Sequence, residues 1–347
     1  MNVLTAAPPR NSTRLVGIDA ARALAFGGML LAHFAASRGP GDPGWLRAVD
    51  NAADGRAAPL FCVLLGVGAG LLMSRGVSDR ALMRRGLVLL ALGLLVWPFV
   101  DDVYLILPHY GILLALFPLV RRAPTRWLLP LSGIAFLAPS VVVATLGDQG
   151  LRGAGQPTTY GDLLDTSEIL GQVLWTGGYP LVGWVGFVLV GAWLARRGLG
   201  DHRTQRRLLV GGTVIAAVQP LVAVAHAALG RPPFLDSAAH SNQTAWYIVA
   251  SATAVAVLAG CLIVARQARR VALALAPLGQ VALSAYVAHL LVGEALVFPW
   301  LDGSSPALSV QVAVAAAAFA GLTATAKAWL ARHRRGPIET VVRALAG

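Results

Sequence analysis

Charge is scarce in this chain. Only 13% of its 347 residues are Asp, Glu, Lys or Arg, about half of the ~25% that soluble globular domains carry. Lysine is almost missing, with Lys327 the single example among 28 basic residues. Cysteine is limited to Cys62 and Cys261, each inside an apolar run, which excludes a disulfide framework and gives no cysteine-based metal spacing. The opening MNVLTAAPPRNSTR has no apolar core, so it is no cleavable secretion signal and reads as a short cytoplasmic tail over residues 1–15. Together these shortages exclude a soluble enzyme, a nucleic-acid-binding domain and a disordered chain.

What is abundant is apolar surface: 56% of residues are hydrophobic and the mean hydropathy is +0.67. Apolar runs long enough to span ~30 Å of hydrocarbon recur along the whole length. Ten candidate spans stand out, at 16–36, 57–74, 84–100, 103–121, 126–146, 178–195, 208–229, 244–265, 278–298 and 307–330. They are expected to be helices, because an open strand leaves its polar backbone unsatisfied in lipid. Prolines 98, 108, 118, 130, 139, 180 and 220 lie in or at the ends of these spans and predict kinks. The expected fold is an all-α polytopic bundle over 1–347.

The net charge of +12 follows membrane topology rather than a nucleic-acid surface. With both termini inside, the inner loops and tails hold 22 Lys and Arg and three acids, Asp79, Asp201 and Glu339. The outer loops hold five Arg and eleven acids, among them Asp54, Asp101, Asp102, Asp165 and Asp236. A basic excess that alternates from loop to loop orients the chain with both termini cytoplasmic, and a single lysine against 27 arginines suggests a GC-rich bacterial genome and with it an inner membrane. The longest loop, 147–177, is external, with a short amphipathic piece expected around Tyr160–Val173. The tail 331–347 is cytoplasmic and amphipathic. No loop is long enough to be a domain, so any chemistry belongs inside the bundle or at its mouths.

Ionisable residues inside spans are costly and usually face the bundle interior or a watery cavity. In RLVGIDAARALAFGGMLLAHF, a turn of ~100° per residue places Asp19, Arg22 and His33 on one face. His33 lies ~21 Å beyond Asp19 along the helix, so one polar stripe runs across the membrane. In PLGQVALSAYVAHLLVGEAL, Tyr286 and His289 share one side, while Gln280, Ser284 and Glu294 share another. In VYLILPHYGILL, Pro108 precedes His109 and Tyr110. Five of the seven histidines, His33, His109, His226, His240 and His289, fall toward the external side, and imidazole is the commonest acid–base group near neutral pH. Glycines 66, 68 and 70 follow no strand, so they form no nucleotide fingerprint. Gly66 and Gly70 instead suit close helix packing, within one chain or in a homo-oligomer. The inner arginine clusters serve topology and would also suit the phosphates of a CoA-type donor.

Four segments, in order along the chain, carry a family resemblance. RLVGIDAARALAFGGMLLAHF with DGRAAPLFCVLLGVGAG, then YPLVGWVGFVLVGAWLAR, PLGQVALSAYVAHLLV and the ending RRGPIETVVRAL resemble the heparan-α-glucosaminide N-acetyltransferase-like proteins and their bacterial YeiB-like relatives. The resemblance implies a membrane acyltransferase that takes acetyl-CoA from the cytoplasm and acetylates a sugar-like or amine acceptor, a small molecule or glycan, on the opposite side. Asp19 and Arg22 match the family's early Asp-x-x-Arg and would organise the acetyl-CoA site. Asp54 matches the acid that opens the second helix, and Tyr286 the late-helix tyrosine. His33 stands where many relatives have Asn, and Ser284 replaces a Thr. The acyl-transfer candidates are His289 and His33 as bases or transient acyl carriers, and Tyr286 and Tyr110 as oxyanion donors, with His109 and Asp54 beside them. No metal is expected. The competing expectation from the residues alone is a transporter of a small polar or sugar-containing metabolite, with the same stripe lining its path. A membrane scaffold is the third.

Overall fold

Among the described residues most of the apolar sequence becomes helix. The computed structural model describes residues 15–35, 42–146 and 170–347, with the side chains of 47, 48, 50–52, 146 and 176 left aside. The first fourteen residues and most of the 147–177 loop, including Asp165 and the start of the expected amphipathic piece, lie outside the described residues.

In chain order the helices are α1 (Val16–Phe34), α2 (Gly44–Ala53), α3 (Ala57–Ser74), α4 (Asp79–Val96), α5 (Leu107–Ala115), α6 (Phe117–Arg122), α7 (Thr125–Leu146), α8 (Leu181–Ala195), α9 (His202–Ala217), α10 (Gln219–Ala228), α11 (Thr244–Gln267), α12 (Arg269–Gln280), α13 (Ala282–Val292), α14 (Phe298–Ser304), α15 (Leu308–Leu330) and α16 (Pro337–Ala346). No strand occurs among the described residues. Among the described residues, seven helical stretches are long and apolar enough to cross a membrane: 57–74, 79–99, 125–145, 202–228, 244–267, 282–304 and 308–330. The apolar α8 is shorter. The chain is a multi-pass membrane protein.

Proline and glycine set where the spans bend. Pro108 sits in the first turn of α5, where its missing N–H would be unpaired in any helix. It therefore starts that helix, and Val103–Ile106 lead into it rather than belonging to it. Pro118 and Pro220 likewise open α6 and α10. The ninth apolar segment is broken twice. Val281 separates α12 from α13, and a π-helical turn, Gly293–Val297, separates α13 from α14.

Around α1 the bundle is closely packed. α1 lies against α3, α11, α12 and α15, and α8 fills the angle between α3 and α7. Gly66 of α3 and Gly191 of α8 face each other's backbone, so a Cβ on either would collide with the carbonyl of Val188 or Val63. Small residues that let helix backbones touch supply the dispersion contact that replaces a hydrophobic drive in lipid. Gly70, the other half of the expected small-residue surface, is filled by Ala195. The short amphipathic α16 folds back against α4 and α13.

Candidate active site

Two cavities lie along α1. The larger, about 600 Å³, is at the His33 end and is walled by His33, Asp54, Tyr104, Tyr179, His240 and Asn242, with others. The smaller, about 250 Å³, is at the Arg22 end and is walled by Arg22, Tyr110, Gln280 and Glu339. Phe61, Ile106 and Tyr286 belong to both walls, so they form the partition.

His33 from α1 and His289 from α13, 256 residues apart, meet in this partition region with Nδ1 of the first 3.2 Å from Nε2 of the second. Their rings stack at 5.3 Å between centroids. His289 is buried behind His33, with Phe26 edge-on at 5.2 Å and Tyr286 at 5.3 Å. Nδ1 of His289 is buried and makes no hydrogen bond among the described residues. A neutral imidazole carries one N–H, so one ring donates across the contact and the other accepts. In the tautomer where His33 Nδ1–H donates and His289 Nε2 accepts, Nε2 of His33, a residue of the cavity wall, keeps its lone pair. The pair thus resembles a base held in one tautomer by a second ring.

A second imidazole stands in the same cavity. His240 Nε2 lies 3.1 Å from an Asp54 oxygen. His240 drew no attention in the sequence beyond its side of the membrane, because nothing in AAHSNQ points to residue 54. The polar run before an apolar helix was the only signal.

At the other end, Asp19 is buried and Arg22 donates to it at 2.8 Å. Glu339 of α16 accepts from the Leu283 and Ser284 amides at 2.9 and 3.2 Å, and from the Ser284 hydroxyl. Ser284 Oγ in turn accepts from the Ile338 N–H at 3.0 Å. The first turn of α13, exposed by the break at Val281, is thereby capped by a carboxylate from the C-terminal helix.

Other residues singled out from the sequence go elsewhere. Tyr110 lines the smaller cavity and donates its hydroxyl to the Phe61 carbonyl at 3.0 Å. His109 lines neither cavity; it packs between Trp97 and Tyr179, at 6.4 and 5.8 Å. His226 Nδ1 sits 3.1 Å from the Pro232 carbonyl. Glu294 accepts from the Asp101 and Asp102 amides at 3.0 and 3.1 Å, which ties the connection after α4 to the π-helical turn. Among the described residues, no three His, Cys, Asp or Glu side chains gather as a metal site.

The family model for heparan-alpha-glucosaminide N-acetyltransferase, catalytic, matches residues 14–230. The chain belongs to this family. A second model, described as a protein of unknown function (DUF418), matches residues 192–347. No curated protein matches the chain. The site draws on both matched regions. His33, Asp54, Asp19 and Arg22 come from the N-acetyltransferase part alone, whereas His240, Tyr286, His289 and Glu339 come from the other part. Each imidazole–partner contact in the larger cavity therefore joins one region to the other.

Proposed function

We propose that this protein moves an acetyl group from cytoplasmic acetyl-CoA to a sugar-like or amine acceptor on the far side of a bacterial inner membrane. The whole chain acts as one unit of ten spans, with both termini cytoplasmic. Helices occupying every apolar run and the alternating basic excess support that arrangement. The smaller cavity then opens toward the cytoplasm and the larger toward the outside. The observation that carries the reading is the 3.2 Å contact between His33 and His289 beside a partition shared by two cavities.

Asp19 and Arg22 organise the donor site, and the thioester reaches His33 past Tyr286. The His33 Nε2 lone pair bonds to the acyl carbon while the Nδ1 proton shifts to His289. The C–S bond breaks, and CoA thiolate leaves with its electron pair. Tyr286 donates a hydrogen bond to the transient oxyanion. The acceptor then takes the acyl group from His33.

The test is thermal stabilisation of the purified protein by acetyl-CoA, with CoA and adenine as controls, followed by exchange of labelled CoA into acetyl-CoA without acceptor. Saturable stabilisation, and exchange that disappears in His33→Gln, is the expected result. Folded protein that neither binds nor exchanges any acyl-CoA overturns the reading.

A further inference from the structure

The donor chemistry uses one imidazole of the larger cavity and leaves the other, His240, without a task. That residue is held with care. His240 and Asn242 both adopt left-handed backbone conformations, with φ of 59° and 53°. Such geometry costs free energy and persists where the surroundings impose it. Asn242 Oδ1 accepts from Trp184 Nε1 at 3.0 Å and from the Tyr247 hydroxyl at 3.3 Å, and both aromatic rings are fully buried. On the opposite partner, Gly55 follows Asp54 with φ of 66°, and a Cβ there would press on Ala239 at 3.0 Å and Trp246 at 3.1 Å. Arg56 donates to Gln219 at 2.7 Å, and Gln219 donates to the Ser237 carbonyl at 3.1 Å. Gly55, Arg56 and Asn242, which flank the Asp54–His240 contact, are thus tied to the bundle.

A hydrogen bond from Nε2–H to the Asp54 carboxylate leaves Nδ1 of His240 with its lone pair, the arrangement of a general base. The charge of the cavity narrows what this base meets. Among the described residues, Asp54 and Asp102 line it and no arginine or lysine does. With the Arg56 guanidinium beside Asp54 but outside this wall, the two carboxylates still favour neutral or cationic groups over sulfated or phosphorylated ones at the wall itself. The Gln243 amide and the rings of Tyr104 and Trp175 offer the mixed polar and aromatic surface that suits a hydroxylated ring.

We infer that Asp54 and His240 form the acceptor site, which binds a neutral or cationic amine-bearing molecule, and that His240 is the catalytic residue that takes its proton. This rests on the acyltransferase reading for the transfer step alone. The neutral form of the amine bonds through its nitrogen to the acyl carbon and gives its proton to His240 Nδ1, while the electron pair of the breaking acyl–imidazole bond returns to His33 Nε2 and His289 returns its proton to His33 Nδ1. His33 and His240 therefore divide the two half-reactions between them.

The experiment compares wild type, Asp54→Asn and His240→Gln, with His226→Gln as a control away from both cavities. Glucosamine, ethanolamine and spermidine serve as amine probes, and glucosamine 6-sulfate as the anionic counterpart. Binding is read by thermal shift without donor, and transfer by CoA release with acetyl-CoA. At least one amine binds wild type more tightly than the sulfated sugar does, and Asp54→Asn weakens it about tenfold. His240→Gln lowers kcat for transfer by about 100-fold while CoA exchange without acceptor persists. His226→Gln matches wild type. Amine binding that survives in a protein without CoA exchange removes the acyltransferase reading and keeps the acceptor site. Absence of amine binding to wild type overturns the site. So does transfer within twofold of wild type in both Asp54→Asn and His240→Gln, or equal binding of the sulfated sugar.

Discussion

The larger and smaller cavities share Phe61, Ile106 and Tyr286 as a partition, yet they are furnished differently. The larger has two imidazoles, each with a partner, and two carboxylates. The smaller is mostly apolar, with the Arg22 guanidinium at one side. Its carboxylate, Glu339, is already occupied in capping α13. A cavity with lone pairs suits proton transfer and bond making, while one with a guanidinium and an apolar wall suits holding an anionic donor by its charge and its chain. One stripe along α1 therefore leads to two different jobs, depending on what other helices bring to each end.

The sharpest way to break that contrast is to remove a lone pair from the larger cavity. His33→Gln should lower CoA exchange and acetyl transfer by roughly 10²–10⁴-fold with little change in acetyl-CoA binding. His289→Ala should act in the same direction, and the double variant should be little worse than the worse single, since the rings act as a unit. Exchange kinetics on inserted, folded protein would check this, and a variant with full activity would end the division of labour.

Arg22→Gln addresses the other end. It should weaken acetyl-CoA binding by about tenfold and leave the maximal exchange rate nearly intact, a change in affinity alone. A loss of maximal rate with unchanged affinity would place Arg22 with the chemistry instead.

Two smaller effects concern the scaffolding of each cavity. Gly55→Ala forces a left-handed residue against Ala239 and Trp246 and should cost about 1–3 kcal/mol of stability. It should also raise KM for the amine more than it lowers kcat. Glu339→Gln keeps the shape of the cap and removes its charge from the α13 N-terminus, at a cost of about 0.3–1 kcal/mol. Melting temperature and CoA exchange, measured together, should show Glu339→Gln slightly less stable and Gly55→Ala impaired chiefly with acceptor present.

Much of the fold was legible because helix formation in lipid is local. A run of apolar residues must satisfy its own backbone, and the 3.6-residue turn places Asp19, Arg22 and His33 on one face without reference to the rest of the chain. The capping role of Glu339 was not legible. It depends on a break at Val281 that opens amides for a carboxylate 55 and 56 residues later. Pro108 stands inside an expected span as a kink, whereas it opens α5, since residues 103–106 of that span are not helical. His109 looked equivalent to the other external histidines, but its ring is packed between aromatics.

Hydropathy could not sort the helices by neighbour. The stretches 57–74 and 202–228 have nearly equal mean hydropathy, 2.0 and 2.1, yet 56% of the first is buried inside the protein and only 6% of the second. Lipid and a neighbouring helix are equally apolar environments, so transfer from water stabilises both placements alike. By itself the sequence determined that the chain is a helical membrane protein, which residues share a helix face, and the family motifs it carries. Which faces meet was decided by tertiary packing, through glycine contacts such as Gly66 with Gly191 and breaks such as Val281. That packing brought His33 to His289 and Asp54 to His240, because side-chain proximity between distant helices depends on backbone approach and not on local periodicity.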